Sequence, residues 1–233
     1  MTRMTADGRK TARRAEAERN DHALLAAARA VLATDGAHAS VAAIAKHAGV
    51  GIGSLYRRYP TKEALFQRLL DIVLDDYLTA AETALADPDP WNGLSGYVTT
   101  VIAFAGSLGP IAGTLPLTPA ILDKNRRADE AVAAVIDRAH AAGVLRADAS
   151  VIDVELLIEQ LGKSPLIEQL AKQGRTDLSE AAQNAHTRIT AIALDGLRAT
   201  GHPPLPGEPP GPELFTERWE VPGSSEGTAP AGH

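Results

Sequence analysis

Between positions 51 and 62 the sequence brings together Gly51, Gly53, Ser54, Tyr56, Arg57, Arg58, Tyr59 and Lys62. Two adjacent guanidinium groups at one end of a short segment, with glycine and serine at the other, suit contact with nucleic acid. Small residues let a backbone approach the floor of a groove, and arginine pairs with both acceptor atoms of a guanine edge. Tyr56, Tyr59 and Lys62 carry hydroxyl and ammonium groups that bond phosphates, which sets register without reading sequence.

Other chemistries fit less well. The series Gly49-x-Gly51-x-Gly53 lacks the G-x-G-x-x-G spacing of a dinucleotide fingerprint and follows a helical rather than a strand pattern. Histidines at 22, 38, 47, 140, 186 and 202 show neither i,i+4 pairing nor an H-E-x-x-H pattern, so no metal site is expected. Asp71, Asp75 and Asp76 read as the solvated face of a helix. The chain has no cysteine, which excludes disulfides, thiolate zinc sites and cysteine nucleophiles. No nucleophile with a placed base is visible. The expectation is a protein that is not an enzyme and carries no cofactor.

The elements that must hold these residues are helical. From Asp21, which reads as an N-cap, apolar residues fall at Leu24, Leu25, Ala28, Val31 and Leu32, with Gly36 closing the helix. Ser40 caps a second helix with Val41, Ile44 and Ala45 facing inward, ending at Ala48-Gly49-Val50. A third runs from Ile52 to Tyr59 and stops at Pro60. Two short helices joined through a glycine corner make a helix-turn-helix, with Ile44, Ala45, Val50, Ile52 and Leu55 as its small core. Thr61, with Glu63 in the first turn, opens a long fourth helix to about Ala86. Its inward face holds Leu65, Phe66, Leu69, Ile72, Val73 and Tyr77, and Asp-Pro-Asp-Pro at 87–90 breaks it.

Over Ser40 to Leu65 the sequence resembles the TetR family of transcriptional regulators. The match is Ile44-Ala45, Ala48-Gly49-Val50, Gly53, Leu55-Tyr56, Tyr59, Lys62-Glu63 and Leu65. The resemblance implies an all-α homodimer with an N-terminal DNA-binding domain and a C-terminal effector-binding domain. It also implies a repressor that leaves a palindromic operator when a small molecule binds; an activator or dual regulator on the same scaffold is the alternative. A helical interaction protein without DNA binding is the remote one. Ser40, Tyr56 and Lys62 match phosphate-contacting positions, and Gly51–Arg58 matches the recognition helix. Many members have Ser or Thr in place of Gly51, His in place of Arg58 and Phe in place of Tyr59.

Charge divides the chain. Residues 1–62 carry 11 Lys/Arg against 5 Asp/Glu, whereas the remainder carries 12 against 24. The net −6 therefore averages a basic module and an acidic body. The expected organisation is a basic arm at 1–20, including Arg9, Lys10, Arg13 and Arg14, and a DNA-binding domain at 21–68. An effector-binding and dimerisation domain follows at 69–200, then a Pro/Gly-rich disordered tail at 201–233 containing Trp219. In the body, helices are expected near 91–106, 120–142, 150–162 and 179–200. The Gly/Pro-rich 106–119 segment is a candidate lid, and Tyr97, Phe104, Leu122 and His140 are candidate pocket residues. Low aromatic content favours an aliphatic or mixed ligand. Ala182, Ala185, Ile189, Ile192, Ala193, Gly196 and Leu197 form one stripe that, with Leu156, is the expected dimer interface. The N-terminus has no apolar stretch of a signal peptide, and no membrane span is apparent. The chain is expected to be cytoplasmic.

Overall fold

The computed structural model describes residues 17, 19–28, 30–31, 40–104, 118–201, 203–211 and 213–216. Ten helices and no strand are found among them. They are α1 (within 17–31), α2 (Val41–His47), α3 (Ile52–Arg58), α4 (Lys62–Ala86) and α5 (Pro90–Phe104). Then come α6 (Pro119–Ala141), α7 (Val151–Gly162), α8 (Pro165–Lys172), α9 (Ser179–Gly196) and the short α10 (Glu213–Thr216). Leu32, Gly36, the basic residues up to Arg14, the 106–117 part of the expected lid and Trp219 lie outside the described residues.

Helix starts follow local chemistry. Ser40, Thr61, Thr118 and Ser150 each accept a hydrogen bond from the backbone N–H three residues on. At Ser150 the box is reciprocal, because Asp153 accepts from the Ser150 N–H at 2.7 Å. Residues 166–170 repeat the LIEQL of 157–161 and form their own helix, α8, with Pro165 at its first turn.

Two cores share α4. Leu24, Leu25, Ala28 and Val31 of α1 pack with Val41, Ile44, Ala45, Leu55, Leu65, Phe66, Leu69, Ile72 and Val73. Ile52 does not join them; it is 41% exposed on the outer side of α3. Beyond Tyr77, which packs against both clusters, a second core gathers α5, α6 and α7 around Leu94, Val98, Val101, Ile136 and Val154. One continuous helix thus belongs to both cores.

The tail is anchored at its start rather than free from residue 201. Arg146 donates to the Pro203 carbonyl at 2.7 Å, and the Leu205 N–H donates to Asp148 at 2.8 Å. Arg198 stacks 4.2 Å above the Trp91 ring, tying the end of α9 to the start of α5.

Gly93 sets how closely α5 approaches α4. A β-carbon there would lie 2.4 Å from the Ala84 carbonyl oxygen. Alanine in a helix is ordinarily more stable than glycine by about 1 kcal/mol. Gly93→Ala is expected instead to lose about 1–2 kcal/mol, because the backbone in its way must move. Gly96, one turn on, has open space around it, so Gly96→Ala should be neutral or stabilising. Paired urea titrations check the contrast.

Candidate nucleic-acid interface

The turn between α2 and α3 is built on Gly49, whose φ of +68° side chains rarely adopt. The Val50 N–H donates to the Ala45 carbonyl at 2.9 Å and closes the corner. Gly51 is the N-cap of α3 but offers no side chain to it, so the Ser54 and Leu55 N–H groups bond its carbonyl. Only Leu55 of α3 is buried. One residue therefore pins the helix while the rest of its surface faces outward.

That surface is small at one end and cationic at the other. Added β-carbons on Gly51 and Gly53 would meet nothing within 4 Å. Ser54 accepts a hydrogen bond from Arg57 at 3.1 Å, which holds that guanidinium along the exposed face. Tyr56 is 47% exposed. Lys62 is exposed beside the helix, its ammonium 5.3 Å from the centre of the Phe66 ring. Ser40 is exposed and caps α2. Arg19, Lys46 and His47 are also exposed cations or titratable bases on α1 and α2. Arg19 belongs to the basic arm expected from sequence, whereas nothing in the sequence distinguishes Lys46 and His47 from ordinary surface residues.

Two candidates point the other way. Tyr59 is 8% exposed and its hydroxyl donates to Asp21 at 2.6 Å. Burial, then the hydrogen bond and charge of Asp21, push the Tyr59 pKa up to about 12. It is a core residue and not a phosphate contact. Arg58 turns back toward α1, donating to Asp21 at 2.9 Å and to the Ala17 carbonyl at 3.3 Å. Its guanidinium is tied to α1 by these bonds, while the side chain stays 40% exposed at the end of α3.

Both corrections trace to Asp21, which is 1% exposed inside α1 rather than at its cap. A buried carboxylate needs partners, and Asp21 has three: Arg58, Tyr59 and Arg68, the last at 3.2 Å. The contacts continue, with Arg68 on Asp71 at 2.6 Å and Lys124 of α6 on both Asp71 and Asp75. The end of the recognition helix is thus linked through α1 and α4 to the body. The signal for this unit lay in the departures at positions 58 and 59: a buried tyrosine hydroxyl requires an acceptor, and the exposed Arg58 shares it.

In the body, a cleft of about 430 Å³ lies between α4 and α5, with Tyr97 and Phe104 in its wall. Leu122 and His140 do not line it. Leu122 is 51% exposed on α6, and the His140 imidazole donates to the Arg146 carbonyl at 3.2 Å. Of the expected interface residues, Ile189 and Ile192 are 54% and 68% exposed. Leu156 and Ala193 are half-buried. Leu197 is buried in the second core of its own chain, because its backbone turns inward to pair with Arg146. No described helix is long and apolar enough to cross a membrane, and the described residues contain no metal-binding cluster.

Residues 24–69 match the family model for bacterial regulatory proteins, tetR family. The fold is similar to that of the TetR transcriptional regulator SCO0520 from Streptomyces coelicolor, 27% identical at a TM-score of 0.50. That likeness covers 78% of this chain and 99% of the other. It is also similar to the TetR transcription regulatory protein from Mycobacterium vanbaalenii, 25% identical at a TM-score of 0.51, over 79% and 98% of the two chains. No curated protein matches the sequence.

Proposed function

The chain belongs to the TetR family of bacterial regulatory proteins, and on that premise we propose that it is a dimeric, ligand-responsive repressor of an inverted-repeat operator. Its N-terminal unit, residues 21–68, binds DNA, and residues 69–200 bind effector and the second copy. The observation that carries the reading is α3: pinned by Leu55, bare at Gly51 and Gly53, and ending in an exposed Arg57. This is the shape and charge of a helix that enters a major groove end-on. Ser40, Tyr56 and Lys62 flank it as phosphate contacts.

Two such helices need a second copy. Ile189 and Ile192 lie exposed one turn apart on α9, with small Ala193 beside them. Paired with α7 and its Leu156, they form a face that a symmetric partner covers. Effector binding in the body shifts α4, which changes the separation of the recognition helices. A near-complete switch needs about 5.5 kcal/mol of differential affinity between the two states. An activator on the same scaffold is separated by the sign of promoter output when the gene is deleted.

Footprinting on DNA flanking the protein's own gene tests the reading. Two protected half-sites about one helical turn apart are expected; no salt-sensitive retention on any DNA would contradict it. Arg57→Ala should relax base preference. Lys62→Ala should weaken binding to all sequences and lower the salt slope by about one. Equal loss of specificity in both variants would refute these roles.

A further inference from the structure

Asp71 of α4 is bonded from two sides. Its Oδ2 accepts from Arg68 at 2.6 Å, and its Oδ1 accepts from Lys124 of α6, which also bonds Asp75, one turn on, at 2.8 Å. Arg68 reaches the other way through its Nε, donating to Asp21 at 3.2 Å, and the same carboxylate oxygen takes the Arg58 guanidinium at 2.9 Å. Lys124, Asp71, Arg68, Asp21 and Arg58 therefore alternate in sign along one unbroken series of contacts, from α6 to the last residue of α3.

The series is sheltered where it crosses from α6 to α4. Ile121 and Ala128 stand one turn before and one turn after Lys124, and both are buried in a small cluster with Leu74. The Lys124 and Asp71 side chains are 21% and 31% exposed. Burial works against the charges of Lys124 and Arg68, but the hydrogen bonds and charges of Asp71, Asp75 and Asp21 outweigh it, and both pKa values are raised. A linked, half-buried set of this kind holds its geometry better than an isolated surface pair, which salt and side-chain entropy weaken. The apolar cluster is non-directional and makes α4 and α6 touch. An ammonium between two carboxylates one turn apart fixes the register at which they do so.

The placement of α3 depends on that register. Leu65, Phe66, Leu69, Ile72 and Val73 of the same α4 belong to the first core, in which Leu55 holds α3. We propose that Lys124 is a positioning residue for DNA binding: through Asp71 and Asp75 it sets the direction in which α4 carries α3, and with it the half-site spacing that two copies of the chain accept. The inference rests on the regulator reading, because spacing has meaning only for a dimer on an inverted repeat. A separation held by fixed contacts fits one spacing well. A loosened one must be ordered on binding, which weakens the best site and brings the others closer to it.

The test uses the full chain on the footprinted operator, with its half-sites moved apart or together by one and two base pairs. Each step displaces them by about 3.4 Å and turns them by about 35°. Wild type should hold one spacing best. Lys124→Met removes the charge and keeps most of the stem. It should weaken the best spacing by about three- to tenfold and compress the preference over the other spacings by a similar factor. Its salt slope should match that of wild type, unlike Lys62→Ala, because a positioning residue touches no phosphate. Asp75→Asn, near-isosteric on a carboxylate that is 56% exposed, breaks the same contact from α4. It should move the profile in the same direction by less, and it serves if Lys124→Met fails to fold. An unchanged profile in both variants, equal weakening at every spacing, or a lower salt slope in Lys124→Met overturns the inference and leaves the regulator standing. Wild type that binds no DNA overturns the regulator reading and the positioning role with it.

Discussion

Asp21→Ala is expected to destabilise the protein by about 2–4 kcal/mol, somewhat under the roughly 3–5 kcal/mol for removing one partner of a fully buried ion pair. The carboxylate is 1% exposed and accepts from Arg58, Tyr59 and Arg68. Without it the Tyr59 hydroxyl is left buried without a partner, and two cations lose their counter-charge. The arginine side chains are 40% and 36% exposed and can regain water, which holds the loss below that of a fully enclosed triad. Tyr59→Phe removes a single hydrogen bond and should cost about 1 kcal/mol. Urea titrations with fluorescence or circular dichroism readout check the order. DNA affinity of Asp21→Ala should fall as well, since Arg58 no longer ties the end of α3 to α1. Affinity unchanged at saturating fold would show that α3 is positioned by Leu55 alone.

The second large effect depends on pH. Glu155 of α7 faces Asp129 of α6 and lies near Tyr97 of α5, and it forms no ion pair among the described residues. Burial, then the Asp129 charge, raise its pKa from the ordinary 4.5 to about 7. Asp129 is raised in the same way, by burial and then by Glu130. Between those values the folded state holds a proton that the unfolded chain has released. Stability is therefore greatest below about pH 4.5 on this account and declines as pH rises through about 7. At about 1.4 kcal/mol per unit, the group contributes a loss of about 3–4 kcal/mol that accrues between about pH 4.5 and 7 and stays constant above. Glu155→Gln should raise stability at about pH 8 by that amount, with little change near pH 5. Denaturation midpoints at the two pH values decide it; a gain of equal size at both would place the effect in packing rather than in ionisation.

Much of the molecule was legible in local sequence. The helix starts at Ser40, Thr61 and Ser150 lie in the capping residues themselves, and Gly49 marks the corner because a left-handed φ selects glycine. Periodicity along 65–77 identified the buried face of α4, where five of the six residues are fully buried and Tyr77 is shared between cores. The family motif located α3 and its outward residues for the same reason: spacing within one helix turn is a short-range property.

Other features could not be read that way. Asp21 looks like a cap because aspartate before an apolar run usually is one; its partners stand 37 to 47 residues away. Arg58 and Tyr59 sit on the recognition helix or just past it, yet both bond a buried acceptor on α1, Tyr59 from the core and Arg58 from the surface. Leu122 and His140 occupy positions on α6 that periodicity alone cannot assign to cleft, core or solvent. Leu197 left the expected interface because the chain after α9 folds back to pair with Arg146.

What the sequence by itself determined was the secondary structure, the corner and the chemical kind of the exposed helix, all governed by interactions within a few residues. Tertiary packing is what brings distant charges together in the Asp21 cluster and in the contact from Lys124 to Asp71 and Asp75 of α4. Long-range pairing depends on how helices cross, and that geometry is set by close approaches such as Gly93 on Ala84, which leave no periodic trace in the chain.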